Sequence, residues 1–213
     1  MTKAQRTCES VKRRQILDGA RALFLAEGYE RASVDAIAAR AGVSKATLYS
    51  HFGDKQTLFV ACAREESADV RARMADLLGA PVGGPMHDLA DDLAEMGETF
   101  LRFVVRPSTL AFRRILVAEA GRFPELGRTF FDDATCAFRG RLADYLRRRG
   151  EEGALAVADG DLAAAQFIAL CISDVLWRVE LAVLSRVSSE LVRSTVENAL
   201  RTFLRAYRRE DPV

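Results

Sequence analysis

The 213-residue chain has few cysteines and histidines, and it lacks the local motifs in which those residues usually do chemistry. Its four cysteines are widely spaced without a CxxC pair, and its two histidines, His51 and His87, lie far apart. No zinc pattern follows from these spacings. A phosphate-binding loop, a GxSxG elbow and a metal-spaced His/Glu set are also missing. We therefore expect no catalytic residues, no metal site and no cofactor.

Long apolar runs are missing too. No segment has the eighteen or so uninterrupted apolar residues of a membrane span, and the N-terminal MTKAQRTCESVKRRQ has no apolar run after its basic residues. It is therefore not interpreted as a signal peptide. With 49% hydrophobic and 29% charged residues, the composition predicts a soluble, cytoplasmic protein without a membrane partner.

Charge is distributed unevenly although the net charge is only +1. Residues 1–60 carry ten Lys/Arg against six Asp/Glu, a net of +4, and the remainder carries 21 against 24, a net of −3. A basic N-terminal part is consistent with nucleic-acid binding there.

Apolar residues recur at helical spacing almost everywhere, without strand alternation, so the sequence predicts an all-α fold. Residues 1–10 are predicted to be a disordered basic arm, residues 11–54 an N-terminal domain, and residues 55–213 a second domain. The glycines and prolines of Gly79–Pro85 predict a loop. The predicted helices cover about 11–26, 34–41, 45–52, 55–78, 86–105, 108–122, 124–149, 161–184 and 189–207.

The stretch from Ser33 to Lys55, SVDAIAARAGVSKATLYSHFGDK, predicts two short helices joined by a tight turn. Ser33 and Ser44 stand where N-caps belong, and Gly42 suits the positive φ of a turn. Leu48 and Phe52, four residues apart, should pack inward. Lys45, Thr47, Tyr49 and His51 are then left on the outside, where they can donate to phosphates or reach base edges.

The segment GVSKATLYSHFGDKQTLF resembles the DNA-binding signature of the TetR family of bacterial transcriptional regulators, and the match extends over residues 12 to 62. This resemblance implies an N-terminal three-helix head with a helix-turn-helix motif and a C-terminal helical-bundle body that binds an effector and dimerises. A second segment, RRILVAEAGRFPELGRTFF (residues 113–131), resembles the C-terminal domain of the AefR-like subgroup.

The resemblance implies that Tyr49 and Lys55 bind DNA phosphates. The helix caps Ser33 and Ser44 add short phosphate contacts, while Lys45 and Thr47 are the candidates for base readout. His51 either donates to a phosphate or caps its helix. The basic residues of the arm either contact DNA or are a solvated tail. The implied partner is a double-stranded, pseudo-palindromic operator.

The body is where the resemblance places the homodimer and the effector site. Helices 124–149 and 161–184 are the candidates for the dimer interface, with contacts from Phe131, Phe138, Leu142, Ile168, Ile172 and Val175, although these residues are equally compatible with an intrachain core. An unidentified apolar or amphipathic effector is expected in a cavity walled by Met96, Phe100, Phe103, Phe112, Leu116 and Trp177 and anchored by Glu119 or Asp174.

Polar residues on the predicted helix 161–184 have two interpretations. Gln166, Ser173 and Glu180 repeat every seven residues, and Asp174 can pair with Arg178. Either one of these sets lies in an effector cavity, or the line marks a dimer seam or solvent edge and the pair is a surface ion pair. We favour the second interpretation.

The function predicted from the sequence is a repressor released from its operator by the effector. The alternative is an architectural or cell-division DNA-binding protein that has the same fold and needs no effector.

Overall fold

The computed structural model describes residues 3–77, 88–124, 127–128 and 136–208 of the chain. Within these ranges it contains nine α-helices and no strand, so the prediction of an all-α fold is confirmed. The helices are α1 (Lys3–Glu27), α2 (Val34–Ala41), α3 (Lys45–Phe52), α4 (Lys55–Leu77), α5 (Leu89–Val104), α6 (Pro107–Glu119), α7 (Cys136–Glu151), α8 (Gly160–Glu180) and α9 (Ser189–Tyr207).

Two helix ends differ from the prediction. Helix α1 begins at Lys3 rather than near Val11, because no Gly or Pro interrupts this segment, and it covers most of the predicted arm. Helix α8 ends at Glu180 rather than Leu184, since Ala182 takes a left-handed φ of 57° and its N–H returns to the carbonyl of Val179. The predicted loop 79–85 lies outside the described residues, as do Met86 and Phe131.

The chain folds into two compact units. The first combines Met1–Asp69 with Ala111–Phe130, and the second combines Val70–Leu110 with Phe131–Val213. The boundaries fall inside α4 and inside α6, so the first unit includes the start of α4 and the end of α6 in addition to the predicted 11–54 domain.

The core of the first unit joins α1 to the three helices that follow it. Ile16, Leu17 and Ala20 of α1 are buried with Ile37 of α2 and Leu58 of α4. Residues from α6 and just beyond it complete this core, namely Phe112, Leu116 and Phe123. Because α1 supplies so much of the buried surface, it is the scaffold on which α2 and α3 are held.

The core of the second unit depends on a close crossing of α5 with α8 and α9. A Cβ on Gly97 of α5 would lie 2.8 Å from Val196 of α9, so only glycine fits there without a shift. Next to it, the rings of Phe100 and Phe138 stack with centroids 4.3 Å apart. Among the described residues, α8 is the one helix long and apolar enough, with a mean hydropathy of 1.6, to cross a membrane. Core helices of soluble proteins pass the same test.

Candidate DNA-binding site

Helices α2 and α3 are joined by a tight turn whose ends are capped as the sequence predicts. The Ser33 hydroxyl accepts a hydrogen bond from the backbone N–H of Ala36, and the Ser44 hydroxyl accepts one from Thr47, both at 3.1 Å. Gly42 has φ 66°, and the N–H groups of Gly42 and Val43 return to the carbonyls of Ala39 and Ala38. This hydrogen-bond pattern ends α2 sharply and allows α3 to start three residues later.

Helix α3 is attached to the first unit through one face. Leu48 is fully buried and Phe52 nearly so, which confirms the inward packing predicted from their spacing. On the opposite side Lys45 is exposed and Tyr49 is 42% exposed. Eight residues are too few for a stable isolated helix, so the shape of this outer surface depends on the anchoring of α3.

Lys45 is paired with a residue that the sequence prediction missed. Its Nζ lies 2.8 Å from one carboxylate oxygen of Asp35 in the first turn of α2 and 3.1 Å from the other. Both side chains are exposed, at 51% and 72%. The hydrogen bond to Asp35 raises the pKa of Lys45 above its usual value. The sequence signal that could have revealed this pair is Asp35 itself, an acidic residue two positions after the Ser33 cap.

The smaller polar side chains of the motif contact residues close to them in the sequence. The hydroxyls of Ser44 and Thr47 lie 2.8 Å apart and share a hydrogen bond. His51 is half-buried, with its ring centroid 6.4 Å from that of Phe52. The expectation that Ser33, Ser44, Thr47 and His51 contact DNA therefore stays a prediction.

Lys55, the first residue of α4, is held against the loop between α1 and α2. Its Nζ donates to the Glu30 carbonyl at 3.1 Å and lies 4.5 Å from the centroid of the Tyr29 ring. Arg122 also lies over that ring, 5.1 Å from the centroid, and forms an ion pair with the Glu30 carboxylate. The rings of Phe59 and Phe123 pack around Tyr29 as well, at 4.8 and 5.3 Å. No sequence signal connects Arg122 to this loop, because it lies far away along the chain.

The residues predicted to wall one effector cavity fall into three groups. Met96, Phe100 and Phe103 are buried in the second unit, on α5. Phe112 and Leu116 instead belong to the core of the first unit, which also contains Glu119. Trp177 is 64% exposed, and the Asp174 side chain is exposed and pairs with Arg178 at 3.4 Å. Trp177 and Asp174 lie at the exposed surface of α8 in this chain, and their place at a cavity wall stays a prediction.

A buried polar pair in the second unit was missed. The Tyr145 hydroxyl of α7 donates to a carboxylate oxygen of Asp92 of α5 at 2.7 Å, and both residues are buried. Burial, together with the carboxylate, raises the pKa of Tyr145, which therefore stays a hydrogen-bond donor. Asp92 shares the inward face of α5 with Met96 four residues on, so its position on an apolar face was the signal.

The dimer contacts predicted in the body stay predictions, and burial favours the intrachain-core alternative for four of them. Phe138, Leu142 and Val175 are fully buried within one chain, and Ile168 nearly so, because they form the core between α7 and α8. Ile172 is only half-buried, and Phe131 lies outside the described residues. A contact between two copies of the chain needs exposed residues instead.

Exposed apolar residues line one side of α8. We define the α8 stripe as Leu162, Leu170, Trp177 and Leu181, all of them exposed at helical spacing or directly after the helix end. Beside it runs a groove of about 420 Å³, lined by Gln166, Ala169, Leu170 and Ser173 of α8 and by Thr202, Phe203, Ala206 and Tyr207 of α9. The Tyr207 hydroxyl donates to Gln166 at 2.6 Å. Of the polar line on α8, Gln166 and Ser173 are thus exposed beside this groove and Glu180 is half-buried, while Asp174–Arg178 is a surface ion pair.

Comparison with known proteins assigns the two parts of the chain separately. A family model described as bacterial regulatory proteins of the tetR family matches residues 16–62, and one described as the C-terminal domain of AefR-like transcriptional repressors matches residues 91–209. The HTH-type transcriptional repressor Rv1474c of Mycobacterium tuberculosis is 42% identical over 81 residues, which cover 34% of this chain and 43% of that protein. The chain thus matches less than half of that relative.

Two solved structures are similar over nearly the whole chain. The Flavonoid-responsive Regulator FrrA has a TM-score of 0.75 and 32% identity, with 94% of this chain and 98% of that chain covered. A structure from Mesorhizobium loti MAFF303099, described as a TetR-family transcriptional regulator, has a TM-score of 0.82 at 23% identity and covers 98% of this chain and 100% of that one. The second similarity concerns the fold alone.

Proposed function

The chain belongs to the TetR family of bacterial transcriptional regulators, which are DNA-binding proteins and not enzymes, and we propose that it is a cytoplasmic, ligand-responsive repressor. In this proposal a homodimer binds a pseudo-palindromic operator and is released by a small apolar or amphipathic effector. The observation that carries the proposal is helix α3, which is anchored by Leu48 and Phe52 while Lys45 and Tyr49 remain exposed.

The outer surface of α3 has the chemistry for DNA contact. Tyr49 and Lys55 supply a hydroxyl and an ammonium group for phosphates, which position the protein without reading sequence. Lys45 and Thr47 supply a donor for guanine and a methyl group for thymine. Ser33 and Ser44 each have a hydroxyl beside a helix N-terminus, which favours phosphate oxygens. His51 stays a phosphate donor or a helix cap.

The α8 stripe is proposed as the dimer seam. Apolar side chains such as Trp177 are costly to leave in water, and contiguous exposed apolar patches mark protein interfaces. Homodimers are typical of the matched family, and a two-fold axis would bring the stripe of one copy against that of the other. Such a dimer presents two copies of α3 about 34–36 Å apart, one DNA turn, on the two halves of a palindrome.

An effector is proposed to bind in the second unit. Met96, Phe100 and Phe103 are buried apolar and aromatic side chains on α5, and Asp92 of the same helix forms a buried hydrogen-bonded pair with Tyr145 of α7. This combination suits a planar amphipathic molecule. FrrA, which is 32% identical to this chain, is described as flavonoid-responsive, so flavonoids are the first class to test.

Coupling between effector and DNA is proposed to run along the two helices that belong to both units, α4 and α6. An effector that binds one arrangement of the second unit more tightly shifts the population toward it. A change in the direction of α4 moves Lys55 and alters the distance between the two heads, which lowers operator affinity. DNA weakens effector binding by the same coupling free energy.

The proposal is tested by fluorescence anisotropy with the intergenic DNA beside the gene, titrated with flavonoids and other amphipathic compounds. We expect saturable binding to this DNA and release by a compound that binds the free protein. Tight effector binding that leaves operator affinity unchanged would contradict the proposed coupling between effector and DNA. Equal binding to all DNA sequences would contradict the proposal that the protein is a sequence-specific regulator.

The alternative is an architectural or cell-division protein of the same fold without an effector. Genome-wide binding separates the two functions, because a local regulator occupies one or a few sites near its own gene. Occupancy of hundreds of sites would support the architectural role.

A further inference from the structure

The ion pair between Asp35 and Lys45 has a consequence for how the head discriminates DNA sequences. Helix α3, KATLYSHF, contains one lysine and no arginine. That lysine is engaged by both carboxylate oxygens of Asp35, at 2.8 and 3.1 Å, on an exposed surface. In the protein without DNA, the Asp35 carboxylate of α2 therefore neutralises the lysine charge of α3.

Resting on the proposed DNA-binding function, we propose that Asp35 is a specificity-determining residue that lowers the affinity for DNA without the operator sequence. Duplex DNA carries one negative charge per about 1.7 Å of its axis, and non-specific binding is almost entirely electrostatic. A carboxylate beside Lys45 cancels the attraction of that lysine for phosphates. Moving Lys45 away to a phosphate would leave Asp35 facing a polyanion unpaired.

Operator DNA differs because the Lys45 ammonium has three N–H donors, so it can reach a guanine while it keeps Asp35 as a partner. Lys45 donates to guanine in the major groove, where its position is fixed by α3, and the contact is available only at the matching sequence. The Asp35–Lys45 pair thus changes operator affinity little, and it lowers the affinity of the head for all other DNA. Specificity is a difference of affinities, and a built-in repulsion against the wrong partner is one way to create it.

A second role for Asp35 has to be separated from this one. An acidic residue in the first turn stabilises a helix through the positive N-terminal end of its dipole, and Asp35 is such a residue in α2. Loss of that stabilisation would lower thermal stability and weaken binding to all DNA. Loss of the proposed discrimination instead strengthens binding to non-operator DNA, so the two roles change affinity in opposite directions.

The test compares full-length wild-type protein with Asp35→Asn, Lys45→Gln, the double variant and Asp35→Glu. Asp18→Asn serves as the charge-matched control, because Asp18 is an exposed carboxylate on α1 of the same unit. The operator is selected from a random-sequence library with the wild type. Dissociation constants are then measured for the operator and for a scrambled duplex of equal length, over a series of salt concentrations.

We expect Asp35→Asn to bind scrambled DNA about tenfold more tightly, with a salt slope steeper by about one per head. Operator affinity should change much less, so the specificity ratio falls about tenfold. In the Lys45→Gln background the same substitution should have a clearly smaller effect. Asp35→Glu and Asp18→Asn should keep the wild-type ratio.

Two results would overturn the inference: an unchanged ratio in Asp35→Asn, which equal weakening on both DNAs would also give, or a loss confined to the operator. The last would make Asp35 only a direct operator contact. Failure of the proposed function has a different signature, namely that wild-type protein enriches no sequence from the library.

Discussion

The outer surface of α3 and the α8 stripe are both exposed, but their chemistry suits different kinds of contact. On α3 the exposed groups are polar, and Lys45 already has a partner in Asp35. On α8 the exposed groups are apolar, with Trp177 64% and Leu181 66% exposed. A polar surface is well solvated in water and can bind a partner reversibly. Burial of apolar surface is instead favourable by about 25 cal/mol per Å². The first surface therefore suits reversible DNA binding and the second a lasting contact between two copies.

Introducing a charge into the α8 stripe should have the largest effect. Trp177→Asp should give a monomer and lower operator affinity about 100-fold or more, because two linked heads exceed one by at least this factor. Analytical ultracentrifugation and anisotropy measure both quantities. Val117→Asp, at an equally exposed apolar residue of α6, is the control and should remain a dimer. A Trp177→Asp protein that stays dimeric would show that the seam lies elsewhere.

Substitutions on α3 and at Lys55, the first residue of α4, should weaken DNA binding without changing assembly. Tyr49→Ala and Lys55→Ala should each weaken binding to operator and scrambled DNA alike by about three- to tenfold, and Lys55→Ala should reduce the salt slope by about one per head. Thr47→Ala should instead change the sequence enriched from a random library. Gel shifts that match the wild type for all three variants would remove these residues from the interface.

Arg122 tests whether the loop that holds Lys55 matters for DNA. It contacts the Tyr29 ring and Glu30 together with Lys55, so Arg122→Ala should free this loop and lower operator affinity about threefold, as expected for an exposed cation–π contact. In a Lys55→Ala background the further loss should disappear, which a double-mutant cycle measures. Full additivity of the two losses would indicate that Arg122 acts independently of Lys55.

The smallest expected effect concerns the cap of α4. The Asp54 carboxylate accepts the backbone N–H of Thr57 at 2.6 Å, which lowers its pKa below the usual 3.8. Its contribution to stability is therefore present above pH 3.8 and is lost as the pH falls through the folded-state value. Asp54→Asn keeps an acceptor but cannot titrate, so its acid unfolding should show a shallower pH dependence in this range. An identical acid-unfolding curve for wild type and variant would contradict this linkage.

The same contrast explains what could be predicted from the sequence. The caps Ser33 and Ser44, the turn at Gly42 and the inward residues Leu48 and Phe52 were predicted because each depends on neighbours a few positions away. Asp35 was within equally short range but was overlooked. Arg122 could not be found, since its contact with Glu30 bridges distant parts of the chain.

The body was harder to predict because α8 is apolar on almost every side. Periodicity shows that Val175 and Trp177 lie on a helix but cannot decide which of them faces the core. Packing against α5, α7 and α9 decides this, leaving Val175 buried and Trp177 exposed. The helices themselves were predictable from spacing, whereas the identity of the exposed stripe depended on tertiary structure.

Footprinting of the protein on its library-selected operator measures directly whether the two α3 helices of one dimer bind the two halves of one palindrome. One dimer should protect two inverted half-sites centred about 10 base pairs apart, and Trp177→Asp should lose both protections together. Protection of a single half-site by a monomer, or uniform protection without sequence preference, would contradict this arrangement.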